Sequence, residues 1–173
     1  MFTNKDQRYI NMNIITNHIQ IDFDLECDRT MISNRNRRDA AAILSVDALC
    51  TITINHQLYF KAELAIFEFY KTLYMWKQQV KEDKLRPFHY YTIEYDEYED
   101  GAILSLIPYS SKARLTTIWE EQPIYNMFEL DDIVNYFFLM ERRLKQQIET
   151  YFDIQLDRFV KHIPYCRSSN HNR

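Results

Sequence analysis

Phe88-His-Tyr-Tyr-Thr-Ile-Glu-Tyr-Asp-Glu-Tyr-Glu-Asp-Gly-Ala-Ile-Leu-Ser-Leu-Ile-Pro108 contains the only glycine of a 173-residue chain. A two-residue type I′ turn needs positive φ at both central residues, which glycine adopts freely and aspartate tolerates. Asp100-Gly101 therefore predicts a tight hairpin between Phe88–Glu97 and Ala102–Ile107. In that register Ile93 and Tyr95 share one face with Leu104 and Leu106. Glu94, Asp96 and Tyr98 share the other, more polar face with Ile103, Ser105 and Ile107.

Upstream, Ile19, Ile21, Phe23 and Leu25 alternate with Gln20, Asp22, Asp24 and Glu26, a period of two that predicts a half-buried strand within Ile14–Cys27. A polar, Arg-rich stretch follows over Asp28–Asp39. Ala41–Ile54, rich in Ile, Leu, Val and Thr, reads as one bent strand or two short ones, and Asn55-His56-Gln57 as a turn. Over Lys61–Glu82, Leu64, Phe67, Tyr70, Leu73, Tyr74 and Val80 recur at helical spacing; Ile66, Phe69 and Trp76 widen the stripe, so this helix is expected to be covered on more than one side.

Downstream of the hairpin, Ala113–Trp119 offers a further strand. Asn126-Met127-Phe128-Glu129 has the form of a capping box, in which Asn126 accepts a free backbone N–H and Glu129 reaches back to the cap. The helix after it carries Leu130, Ile133, Val134, Phe137, Glu141, Leu144, Ile148 and Tyr151 on one stripe, polar only at Glu141. Asp131 and Asp132 in its first turn suit the helix dipole. Asp157–His162 extends this helix or forms a short final turn. The order predicts an α+β fold: an antiparallel sheet of five to six strands with two amphipathic helices packed on one face.

The length fits one domain spanning 1–173, with residues 1–12 and 167–173 as flexible tails. A formal net charge of −4 is a poor match to a phosphate backbone, so nucleic acid is not the expected partner. The cluster Arg29, Arg35, Arg37 and Arg38 reads as a solvated loop. The first residues lack the apolar core of a signal peptide and no apolar run reaches the length of a membrane span, so a cytoplasmic location without membrane association is expected. Cys27, Cys50 and Cys166 are widely spaced and suggest reduced thiols, not a disulfide framework or a zinc site.

With one glycine, neither a dinucleotide-binding loop nor a Walker loop can be built, and no cofactor is expected. His18, His56, His89, His162 and His171 fall into no recognisable catalytic spacing. His162 and Cys166 are four apart, but two ligands do not make a metal site and Pro164 denies them a helical geometry.

The carboxylates carry the functional reading. Asp22, Asp24 and Glu26 point to one side of the first strand and Glu94 and Asp96 to one side of the hairpin. If these strands share a sheet, the groups line its helix-free face together with Tyr98 and Tyr90. Such an acidic, Tyr-rich face suits a basic partner protein, since complementary charge steers association and tyrosine supplies rigid contact area. An ordinary solvated sheet face has the same composition. The alternative is enzymatic: the same carboxylates could hold Mg²⁺ for a phosphoesterase or nuclease, although no accompanying Lys- or His-based pattern is present.

The segment Phe88–Pro108 resembles an uncharacterised domain family of Bacillus-type bacteria. The likeness spans Ala41–Phe159 and brings no known site residues with it. Small acidic α+β domains of such bacteria are also similar, at the level of fold, to immunity proteins that neutralise a toxin. The resemblance therefore implies a protein-binding role, either immunity or regulation, in place of catalysis.

Overall fold

A computed structural model describes residues 17–82, 85–94 and 101–167. The alternating segment forms β1 (Ile19–Asp24), with Ile21 buried and Gln20, Asp22 and Asp24 exposed. It pairs antiparallel with β2 (Asp47–Ile54), which pairs antiparallel with β3 (Gln57–Ala65). The β2–β3 turn falls at Asn55 and His56, whose φ values of 52° and 65° meet the type I′ requirement without glycine. Of the two expected tails, only Arg167 lies among the described residues.

Two upstream expectations are corrected. Ala40–Leu44 is a short helix, α1, not strand: Asp39 Oδ1 accepts from Ala42 N at 3.0 Å, and such a cap on an alanine run favours a helical turn over extended chain. Lys61–Ala65 belongs to β3, so α2 begins at Ile66 and runs to Glu82. Lys61 and Glu63 are exposed and Leu64 is buried, so these residues satisfy a period of two as well as helical spacing. Pairing of Lys61 with Thr51 and of Glu63 with Leu49 decides between the two.

The second sheet has the order β4 (Phe88–Tyr90), β5 (Leu104–Tyr109), β6 (Lys112–Thr117) and β7 (Phe128–Glu129), all antiparallel. The α+β class and the antiparallel pairing are as expected, but the single sheet of five to six strands is not. Three strands and four form separate sheets, because β3 passes directly into α2 and the chain starts a new ladder after that helix. Between them one isolated bridge, Phe60 to Glu120, extends past β6 to the edge of β3.

The predicted hairpin register is also overturned. A turn at Asp100-Gly101 would set Glu99 opposite Ala102, yet Tyr90 pairs with Leu104 and Phe88 with Leu106, so residues 91–103 make the connection. Leu104 and Leu106 share their face with Tyr90 and Phe88, while Ile93 lies beyond β4 and Tyr95 is outside the described residues. His89 lies opposite Ser105, where Glu94 and Asp96 were expected. Gly101 has φ +105°, near the roughly +90° of the second central position of a type I′ turn, so the strand register and not this angle excludes the tight hairpin. Asp100 itself, like Asp96 and Tyr98, lies outside the described residues. A two-residue connection does occur one strand later, at Ser110-Ser111, with Ser110 at φ 55°.

The last helix, α3 (Leu130–Phe152), starts later than the capping-box reading placed it. Asn126 caps nothing: it is fully buried, its Oδ1 accepts from Leu115 N at 2.9 Å and its Nδ2 donates to Leu115 O at 3.0 Å. Because Phe128 pairs with Ala113, Asn126 stands where the next strand residue would face Leu115, and its carboxamide substitutes for a peptide group. Asp131 and Asp132 occupy the first turn of α3, and Asp153 ends it in the left-handed region at φ 54°.

One continuous core takes Ile21, Cys50 and Ile52 from the first sheet, Leu104, Leu106 and Leu115 from the second, and the inner faces of α2 and α3. As its broad stripe implied, α2 is covered on several sides: Ile66, Phe67, Phe69, Tyr70 and Leu73 are all fully buried. Phe69 meets Phe23, Phe88 and Tyr90 across both sheets, with ring centroids 5.4, 6.1 and 5.0 Å away. The expected apolar stripe of α3 is present, with Ile133, Phe137, Leu144 and Ile148 buried. No helix among the described residues is long and apolar enough to cross a membrane.

Candidate functional site

The polar face of the first sheet follows from the alternation of its three strands. Across it run the rows Asp22–Thr51–Lys61 and Asp24–Leu49–Glu63, with Asp47 at the head of β2. Asp22, Asp24, Asp47, Lys61 and Glu63 are exposed, whereas Leu49 and Thr51 between them are half-buried. Asp22 Oδ2 accepts from Gln20 Nε2 at 2.6 Å, the next outward residue on its own strand. Glu26 is exposed just past the end of β1.

Glu94 joins this group from another direction. It lies after β4, outside either sheet, and is exposed. The Asp47 carboxyl is held above its ordinary pKa first by burial, then by the negative charges of Glu94 and Glu63. The condition that β1 and the β4 segment share a sheet thus fails, yet tertiary packing brings the charge of Glu94 to bear on Asp47 of β2. Asp96 and Tyr98 fall outside the described residues. Tyr90 is corrected: it is fully buried in the core and contributes nothing to an outer face.

Glu94 owes its position to Glu68, a carboxylate buried in the first turn of α2. Glu68 Oε1 accepts from Ile93 N and Oε2 from Thr92 Oγ1, both at 2.8 Å. These bonds pull the chain out of β4 immediately after Tyr90, which accounts for the failure of the tight hairpin. Burial raises the Glu68 pKa, while the Thr92, Ile93 and Cys166 hydrogen bonds lower it in part.

Both edges of the first sheet are closed. Along β1, Ile21 N donates to Tyr136 Oη (2.8 Å), Arg143 Nη2 donates to Ile21 O (2.9 Å) and Gln147 Nε2 to Phe23 O (2.7 Å); Tyr151 Oη donates to Cys27 O just beyond it. These four residues form one stripe of α3, so the helix takes the place of a neighbouring strand. Along β3, Glu121 N donates to Tyr59 O (2.9 Å) and Gln122 Nε2 to Leu58 O (2.8 Å). With its edges occupied, the sheet presents its acidic face and not a row of backbone groups.

Other polar clusters serve packing. Glu141 receives the Tyr70 hydroxyl at 3.0 Å and the Lys77 ammonium between α2 and α3, all three buried. Lys71 Nζ donates to Val160 O at 2.6 Å and ties α2 to the last segment. His89 Nδ1 lies 2.7 Å from Ser105 Oγ, a cross-strand pair with a buried serine; burial lowers the His89 pKa. His162 and Cys166 have different surroundings: the former is affected by Lys161, Arg38 and Arg37, the latter by Glu68. Among the described residues no three side chains of His, Cys, Asp or Glu stand together in a way that could hold a metal.

Asp47 and Glu63 were missed from the sequence. Asp47 looked like a break within an apolar run, and Glu63 was absorbed into the predicted helix. The alternation Lys61–Ala62–Glu63–Leu64 was the available signal for both β3 and its outward carboxylate.

A family model described as "Domain of unknown function (DUF7878)" matches residues 21–150. No curated protein and no solved structure matches the chain. The chain belongs to this family of unknown function, in agreement with the uncharacterised family its hairpin region resembled.

Proposed function

We propose that this member of the family is a non-enzymatic protein-binding domain, immunity-like or regulatory, whose acidic sheet face docks a basic partner protein. The observation that carries the reading is the gathering of Asp47, Glu63 and Glu94, with Asp22 and Asp24 on the same sheet, on an open face with no ion pair to those groups among the described residues. Like charges held close are unfavourable in the free domain, and cations on a partner would relieve that repulsion while speeding encounter. Half-buried Leu49 and Thr51 lie between the charges and supply contact area that a partner would desolvate.

The Mg²⁺-dependent phosphoesterase has less support, because it needs several oxygen ligands around one ion and no such group is present among the described residues. Charge reversal tests the docking role. The variant Asp24→Lys with Glu63→Lys is expected to lose a partner captured by the wild-type domain from its native cell, while melting within about 2 °C of wild type, as surface changes do. Undiminished capture by this folded variant would refute the role.

A further inference from the structure

A cavity of about 380 Å³ opens along α3, between that helix and Arg29 in the chain after β1. Arg29, Arg143, Gln146, Gln147, Thr150 and Tyr151 line it, a set rich in N–H and O–H donors that contains no carboxylate. Its volume falls within the range of small-molecule sites, roughly 300–1,000 Å³.

The lining is fixed by contacts described above. Tyr151, Arg143 and Gln147 are each bonded to a backbone carbonyl of the β1 segment. The Arg29 guanidinium lies 4.9 Å from the Tyr151 ring centroid, which holds it over the cavity without using its N–H groups. Asp28, next to Arg29, has its Oδ1 occupied by Thr30 N and Thr30 Oγ1, both at 2.8 Å. Among the described residues neither Arg29 nor Arg143 has an ion-pair partner. A second cavity of about 290 Å³ shares Arg143 and Gln147 and includes Asp22, so negative charge is disfavoured at that end and favoured toward Arg29.

We propose that the Arg29–Arg143 cavity binds the phosphate group of a phosphorylated ligand. Two guanidinium groups offer the forked donors that match phosphate oxygens, and the Gln146 amide and Thr150 hydroxyl can complete the coordination. The site borders the acidic sheet face at Asp22, but none of its lining residues belongs to that face and its binding does not depend on that face's role.

The test is a ¹H–¹⁵N NMR titration of the full chain with inorganic pyrophosphate and, in parallel, with a phosphoserine peptide. Saturable shifts confined to the amides of Gln146, Gln147, Thr150 and Tyr151 are expected, with Kd below about 1 mM for at least one probe. Arg29→Gln, in an exposed loop position, should weaken binding about tenfold or more with an unchanged melting temperature. Tighter binding of pyrophosphate would assign the site to a free phosphorylated metabolite, and tighter binding of the peptide to a phosphorylated protein. No saturation by about 10 mM, equal affinity in Arg29→Gln, or shifts spread over Arg35, Arg38 and Lys161 would overturn the proposal.

Discussion

Two sets of carboxylates in this molecule have the same chemistry and opposite surroundings. Glu141 and Glu68 are buried and each receives donors: Lys77 and Tyr70 for one, Ile93 N and Thr92 for the other. Asp47, Glu63 and Glu94 are exposed, and Asp47 has the other two as charged neighbours. Negative charge inside the protein is thus committed to holding segments together, while the carboxylates on the sheet face have no ion-pair partner among the described residues. Residue type alone does not separate the two sets; the number of donors aimed at each carboxylate does.

The largest effect is expected at Glu141. Glu141→Ala leaves the Lys77 ammonium buried without its partner and should cost about 3–5 kcal/mol, read as a fall in the chemical-denaturation midpoint. Replacing both partners, Glu141→Leu with Lys77→Met, should recover most of that loss, since an apolar pair removes the stranded charge. If the double variant is no better than the single one, the pair is not the source of the instability.

Glu68 sharpens the comparison through pH. Its folded-state pKa lies above the ordinary value of 4.5, chiefly because burial disfavours the charged form. The folded state therefore binds this proton more tightly than the unfolded state. The resulting stability is full below pH 4.5 and is lost as pH rises through the folded-state pKa. Glu68→Gln removes that titration, so the wild type should gain stability relative to this variant on acidification from neutral pH toward 4.5. Thermal melts of both proteins across this window provide the check, and parallel curves would contradict the assignment.

The smallest effect belongs to the open face. Asp47→Asn relieves repulsion with Glu94 and Glu63 and, at an exposed position, should change stability by no more than about 0.5 kcal/mol, in the stabilising direction. A loss above about 1 kcal/mol in the same unfolding assay would place Asp47 among the structural carboxylates instead.

What could be read from the sequence was what periodicity alone decides. β1 has a strict period of two and α3 a long apolar stripe, and neither needs a distant partner to be recognised. Asp22 and Asp24 followed from that alternation. Lys61–Ala65 satisfied two periods at once, so only pairing with β2 could assign it, and Glu63 was hidden with it. The hairpin failed for a different reason: a local turn signal at Gly101 was overridden by Glu68, a buried acceptor more than twenty positions away that draws Thr92 and Ile93 off the strand. Asn126 has the residue type of a helix cap, but Leu115, eleven positions earlier, claims its carboxamide. In each case the missing information was a long-range hydrogen bond, which single-sequence pattern does not encode.

The salt dependence of partner capture tests the docking role most directly. Raising ionic strength from about 0.05 M to about 0.5 M shortens the screening length severalfold and should release a partner held by Asp22, Asp24, Asp47, Glu63 and Glu94. A wild-type complex that withstands that change undiminished would contradict an electrostatic role for the sheet face.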